Sequence, residues 1–385
     1  MNKAKVKATC IKHYLPLALC FAVAVGLIIP DIGRNLAKPE IGDYGVVQTI
    51  CVFYIFLCQG MTLKTDDIKK ALSAYVPFSY GLVAILLITP WLGYGMFALA
   101  YAIGGGKPEG SGINDSDIFP YDFYIGFVLF ACMPTTLNSG VALAAAAGGN
   151  FAIALLITVG SNVLGIFTIP LMLKAMLAAD NIEIDPLPML AKLAVSIIIP
   201  CAIGKFLRRF KVVTDTLAKY KVPIGLSTHT ALVIIPNLKI SGSRDDITSQ
   251  SGVSLLVCVL FGLLLHSVFL VFNYTVACAA RWPLDIRKSV VIMTSEKTLP
   301  VAMTVLAFFP TSVGDPGFIA IPCIISHFSQ LMMDSVLASH WADVKETLKE
   351  EKPAEPAKGE EEAKPEAAPA PQTVGSEEAK GGGQV

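Results

Sequence analysis

"VVIMTSEKTLPVAM", Val290 to Met303, sets a carboxylate and an ammonium, Glu296 and Lys297, inside a run of oily residues. Hydroxyl side chains flank both charges, and Pro300 follows Lys297 by three positions. The five consecutive polar residues Thr294 to Thr298 step through about 100° each on a helix, so they circle it completely. No single face of an intact helix hides them all. What the stretch does depends on what surrounds it.

The surroundings are hydrocarbon-loving. Of 385 residues, 54% are hydrophobic and only 16% charged, against about 25% charged in an ordinary soluble domain. The net charge of zero hides an uneven distribution, because Trp341 to Val385 holds 11 acidic and 6 basic residues. Ten apolar stretches approach the ~20 residues needed to cross a bilayer. They are His13–Ile29, Gly42–Leu63, Ser73–Ile103, Tyr121–Ala147, Phe151–Leu177, Leu187–Phe206, Lys219–Ile240, Gly252–Ala280, Val290–Phe309 and Pro316–Ser339. Lipid leaves only helices and closed barrels as spanning structures, and the alternation of a barrel is absent. The expectation is an all-α polytopic membrane protein with ten transmembrane helices over residues 1–340. Residues 341–385, rich in Glu, Pro, Ala and Lys, bury too little apolar surface to fold and form an acidic, disordered tail. The nine cysteines are scattered singly and read as small hydrophobes. The basic front of the first stretch is followed by Pro30-Asp31 rather than by a small-residue cleavage site, so the helix is retained.

Lys and Arg in the connections place both termini in the cytoplasm. The amino-terminal side of the ten-helix plan carries sixteen of them and the opposite side seven. The membrane is the plasma membrane or one of the secretory pathway. The two halves also echo each other. "LPLALCFAVAVGLIIP" (Leu15–Pro30) leads to Gly33, and "LPMLAKLAVSIIIP" (Leu187–Pro200) leads to Gly204, with offsets of 170 at the proline and 171 at the glycine. These copies fall on helices one and six and so enter the membrane from opposite sides, which makes two inverted five-helix repeats, a mark of secondary transporters.

The repeat couples helix nine to helix four, where "CMPTTLNSG" (Cys132–Gly140) puts Pro134 166 positions before Pro300. Both helices are expected to be broken and to cross at their breaks. Half-helix amino termini then offer free N–H groups to an anionic solute, from the crossing residues Pro134, Thr135, Thr136, Asn138, Thr298 and Pro300. Freed carbonyls, hydroxyls and the carboxylate of Glu296 suit a hard cation. Ionisable residues at membrane depth are functional by default. The plainer reading of Glu296 and Lys297 is a structural pair that locks two helices.

"CMPTTLNSGVALAAAAGGN" in helix four and "SEKTLPV" in helix nine, within ten helices in two inverted halves, resemble the bile acid:sodium symporter family, in particular its divergent orphan branch. The resemblance covers about residues 13–340. It implies a panel of helices 1, 2, 6 and 7 and a core of helices 3–5 and 8–10 carrying the crossing. It also implies sodium as the coupling ion and a small organic anion as the solute. In the family's first sodium site Ser139, Thr158 and Glu296 match, while Gly140 and Ala154 depart from its asparagine and serine. In the second site Pro300 and Ile85 stand where glutamines are expected. One sodium ion or a proton therefore remains for coupling. Lys297 falls beside this second site, where its ammonium would stand permanently for a sodium ion, bonded to carbonyls freed at the crossing.

His266, His327, Gln330 and Asn162 are further polar groups at membrane depth and read as interhelical glue before they read as ligands. Asp122 and Asp315 lie at helix ends, and no GxGD motif accompanies them, so an intramembrane protease is not supported. No enzyme, no resident cofactor and no nucleic-acid partner is indicated. Lipid and a small organic anion are the expected partners. The competing class is a transporter-like regulator of cellular calcium that moves no organic solute.

Overall fold

The computed structural model describes residues 14–41, 44–62, 75–103, 119–136, 139–178, 185–309 and 313–350. Asn138 of the expected crossing lies outside them, as do residues 351–385 of the expected tail. Residues 1–345 form one compact unit.

The chain is helical almost throughout. The first apolar stretch forms α1 (Tyr14–Ile28) and then turns through 93° into α2 (Pro30–Ala37). Pro30 opens the second helix, where its fixed φ suits the first turn and its missing N–H costs nothing. A two-residue antiparallel ladder, β1 (Glu40–Ile41) with β2 (Tyr44–Gly45), links α2 to α3 (Val46–Thr62). This ladder is the one addition to the all-α expectation among the described residues.

The third stretch holds α4 (Tyr75–Val83) and α5 (Thr89–Ile103), joined by a π-helical turn at Ala84–Ile88. The fourth is split into α6 (Tyr121–Ala131) and α7 (Ser139–Ala146). A long α8 (Phe151–Leu177) follows, begun by Asn150, whose side chain accepts from the Ile153 amide as an N-cap. Then come α9 (Pro186–Leu193), a second π-helical turn at Ala194–Ile198, and α10 (Ile199–Leu207). The basic connection expected after it contains α11 (Lys211–Lys219).

The second half continues with α12 (Lys221–Gly242), α13 (Arg244–Ser249) and α14 (Gly252–Ala279). The opening stretch is split into α15 (Leu284–Ser295) and α16 (Leu299–Leu306), and α17 (Pro316–Glu350) ends the described chain. Expected to stop at Ser339, α17 runs on through Trp341 because the following Ala, Glu, Lys and Leu are strong helix formers. The protein is thus a polytopic membrane protein. Among the described residues six helices are long and apolar enough to cross a membrane, or seven when the bent α1–α2 pair counts as one. The other expected spans fall short because α3 has 17 residues, α6 only 11, and α12 carries lysine, histidine and asparagine among its apolar residues.

Packing explains where charge is tolerated. Helix α10 lies closely on α3, and a Cβ at Gly60 would strike the Cys201 carbonyl oxygen just as one at Gly204 would strike that of Leu57. Small residues at such positions let two backbones approach in a bilayer. Helix α12 packs on α1, α2 and α3, whereas α15 is enclosed by α7, α8 and α14. Every residue of the central window of Leu284–Leu306 is buried. That enclosure removes the lipid from around Glu296 and Lys297.

Candidate functional site

Both broken helices end for identifiable reasons. Helix α6 tightens into its last turn, with the Cys132 amide donating to Val128 and Leu129 and that of Met133 donating to Phe130 at 3.1 Å. Pro134 then supplies no N–H to continue the ladder. Helix α15 stops where Glu296 turns extended (φ −74°, ψ 147°). Thr298 is extended as well (φ −93°, ψ 126°), and Pro300 lies in the first turn of α16. A proline in the first turn costs no hydrogen bond and favours a helix that begins there.

The two breaks are stitched together. The Thr298 amide donates to the Pro134 carbonyl at 2.9 Å. Thr136 Oγ1 donates to Glu296 Oε2 and in turn accepts from the Gly140 amide at 2.9 Å. A Cβ at Gly140 would run into Glu296 Oε2 and Thr136 Oγ1, so the glycine that departs from the family asparagine makes room for the carboxylate. Helix α8 supports the same junction. Thr158 Oγ1 donates to Ala154 O at 2.8 Å and lies 3.5 Å from Thr136 O, while Asn162 Nδ2 donates to Thr135 O at 3.0 Å and to Thr158 O at 2.8 Å. Thr136 is the hub of the described junction. Thr158 meets its carbonyl, Glu296 meets its hydroxyl, and Ser139 opens α7 one residue before the glycine bonded to it.

Lys297 takes a different place from the one expected. Its Nζ donates to Ile85 O at 2.9 Å and to Thr89 Oγ1 at 2.8 Å, and lies 5.7 Å from the centroid of the Phe269 ring. The carbonyl comes from the π-helical turn of the third stretch, not from the crossing. A π turn shifts the i→i−4 pattern locally, and here the Ile85 carbonyl carries the ammonium as well as a longer contact from Thr89 Oγ1. Glu296 and Lys297 therefore do not form the structural pair of the plainer reading. With 1% of its surface exposed, Lys297 does not reach for water either.

Helix α17 clamps the break from behind. Gln330 Oε1 accepts from the Lys297 amide at 2.9 Å, and Gln330 Nε2 donates to the Lys297 carbonyl at 2.6 Å. Gln330 Nε2 also donates to His327 Nδ1 at 3.0 Å. His327 Nδ1 also lies 3.3 Å from the Lys297 carbonyl oxygen, and its Nε2 is buried without a hydrogen-bond partner. His327 lines a small, partly open pocket together with Thr136, Ser139, Thr298, Pro300 and His229, the last from α12. Four of the named crossing and cation residues thus border one space, with two imidazoles facing it.

Sequence reading missed His229, Thr89 and Asp334. Asp334 Oδ1 accepts from His266 Nε2 at 2.9 Å, one helical turn beyond the Gln330 that holds both peptide groups of Lys297. Its signal was present, since residues 327, 330 and 334 share one face of a helix. Asp122 and Asp315 sit at helix ends, where Asp315 caps α17 through the Gly317 and Phe318 amides at 2.8 and 3.0 Å. Among the described residues no group of three or more His, Cys, Asp or Glu is disposed to hold a metal ion.

Apolar helices in this number, with two of them broken at one polar junction, make a multi-pass membrane protein, and its family and relatives are transporters rather than enzymes. A family model for the SBF-like CPA transporter family matches residues 13–343, and the chain belongs to that family. It is similar to the probable sodium/metabolite cotransporter BASS4, chloroplastic, of Oryza sativa subspecies indica, at 30% identity over 343 residues, covering 86% of this chain and 75% of the relative. The Arabidopsis thaliana protein of the same name is also 30% identical, over 338 residues, covering 86% of this chain and 72% of the relative. Sodium/bile acid cotransporter 7 of Rattus norvegicus is 23% identical over 338 residues, covering 85% and 91% respectively.

Proposed function

We propose that the chain is a secondary active transporter of the bile acid:sodium symporter type, in which a cation, sodium or a proton, drives movement of a small organic anion. In this reading ten crossings form two inverted five-helix repeats, with both termini in the cytoplasm. Helices α1, α3, α9–α10 and α12 make the panel, and the helices around the two breaks make the core. The packing of α10 and of α12 on α3, and the separate enclosure of α15, support that division.

The observation that carries the reading is the contact between Thr136 and Glu296 at the joined breaks, beside a cavity. Ser139, Thr158 and Glu296 supply oxygen donors of the kind a hard monovalent cation takes. The pocket offers the solute hydroxyls from Ser139 and Thr298 and the buried edge of the His327 ring, which suit an acceptor-rich anion. Cation charge at Glu296 favours that anion a short distance away, which couples the two. Lys297 stands in for the second ion, its ammonium resting on the carbonyl of Ile85, the position where the family's helix-three glutamine falls. The relatives' names, sodium/metabolite and sodium/bile acid cotransporters, agree with this assignment.

Uptake of a panel of labelled organic anions into proteoliposomes, under imposed sodium and proton gradients, tests it. Gradient-driven uptake by the wild type, lost in Glu296→Gln and made more steeply sodium-dependent in Lys297→Gln, is the expected result. Gradient-independent flux, or full coupling in Glu296→Gln, overturns it.

A further inference from the structure

We propose that Asp334 is a second carboxylate of the cation site, and that its Oδ2 and Glu296 Oε1 together hold one monovalent cation. The inference rests on the cation-coupled reading above and adds a ligand from α17 to it.

Glu296 and Asp334 are both fully buried, and Asp334 stands one helical turn beyond Gln330, which holds both peptide groups of Lys297 next to Glu296. Each is satisfied on one oxygen only. Thr136 Oγ1 donates to Glu296 Oε2, and His266 Nε2 donates to Asp334 Oδ1 at 2.9 Å. The remaining oxygens, Glu296 Oε1 and Asp334 Oδ2, are buried with no hydrogen-bond partner. Two carboxylates facing one junction away from water repel each other, and each has lost its hydration, so both are stable together only with positive charge between them.

The charged neighbours do not supply it. Lys297 Nζ is engaged by Ile85 O and Thr89 Oγ1. Lys288 Nζ donates to Ala147 O at 2.9 Å and Trp341 O at 2.6 Å. His327 faces Gln330 and the Lys297 carbonyl. His266 reaches Asp334 through the oxygen that is already satisfied. One unit of positive charge is therefore missing between the two free oxygens. Carboxylate and hydroxyl donors select a hard ion, and among the described residues no three His, Cys, Asp or Glu are disposed to hold a metal ion, which suits a single charge, sodium or a proton, over a divalent metal.

The position gives such an ion leverage. One helix, α17, grips the break twice, through Asp334 at Glu296 and through Gln330 at both peptide groups of Lys297. A cation that draws the two carboxylates together fixes α15 against α17 at the point where Thr298 meets Pro134. Solute binding at the crossing then depends on the ion beneath it.

The test measures the thermal-unfolding midpoint of the purified full chain in lipid nanodiscs. Sodium is titrated against potassium at constant ionic strength and fixed pH, and acid is titrated separately without sodium, so that the two arms identify the ion. The wild type is expected to be stabilised in one arm, and Asp334→Asn to weaken that response at least tenfold in half-saturating concentration. Where Asp334→Asn yields no folded protein, Asp334→Glu, which keeps the charge but displaces it, is expected to shift the half-saturation in the same arm. A wild-type response left unchanged in the variant overturns the role of Asp334 alone. A wild-type protein indifferent to both ions overturns the coupled reading beneath it as well.

Discussion

Two spans of comparable length divide the chemistry of this molecule. Gly252–Ala279 is the most apolar of the six candidate spans, and only 28% of its central window is buried. Leu284–Leu306 is the least apolar of them, and from Lys288 to Leu306 it is buried throughout. In water the arrangement would be reversed. Within a bilayer the solvent is hydrocarbon, so apolar surface gains little by turning inward, while every polar group gains by leaving lipid for a protein partner. A lysine at membrane depth is tolerated where carbonyls meet it, and the same lysine on the outer face is not.

That contrast is sharpest for Lys288, whose Nζ serves two carbonyls at the end of the buried span. Hydrogen bonds from charged groups contribute about 1.5–3 kcal/mol each. Lys288→Ala is therefore expected to lower stability by about 3–5 kcal/mol, read from reversible unfolding in mixed micelles. A loss under about 1 kcal/mol would break the comparison. The converse substitution, Leu264→Lys on the exposed face of α14, places an ammonium in lipid. Insertion scales put the cost at about 2.5–3.5 kcal/mol, measured as the shift in membrane-insertion efficiency of α14. The smallest effect is expected at Asn273, which lies on α14 but faces inward. Its Nδ2 donates to Ser295 Oγ at 3.1 Å, and its Oδ1 accepts from Tyr80 OH at 2.7 Å. Asn273→Leu leaves those partners buried and unpaired, at about 1–3 kcal/mol, whereas the same change at an outward position of α14 is expected to be near neutral.

The sequence made one side of this division easy to read. Runs such as Gly252–Ala280 declare themselves by composition, because lipid imposes the same demand on every residue it touches. The breaks were legible for a related reason: Glu296, Lys297 and Pro300, and Pro134 with its threonines, contradict the hydrocarbon around them. Identity of partners was not legible. Nothing local to Lys297 says that its ammonium meets the carbonyl of Ile85, 212 positions away, because that bond depends on a π-helical turn whose residues, Ala84 to Ile88, are ordinary aliphatics. Asp334 was passed over for a different reason. It stands four residues beyond Gln330 in a helix already rich in polar side chains, and its weight comes only from facing Glu296.

Gly140 carries a consequence for how this site can change over generations. The space its missing side chain leaves is filled by the Glu296 carboxylate and the Thr136 hydroxyl that holds it. Asparagine at 140 and glutamate in its present pose exclude each other, so a side chain gained at 140 requires the carboxylate to move. A lineage moving between this arrangement and the asparagine-bearing one must pass through an altered carboxylate pose first, or through a chain that has lost the junction. The order of substitutions is constrained by a single absent methyl group.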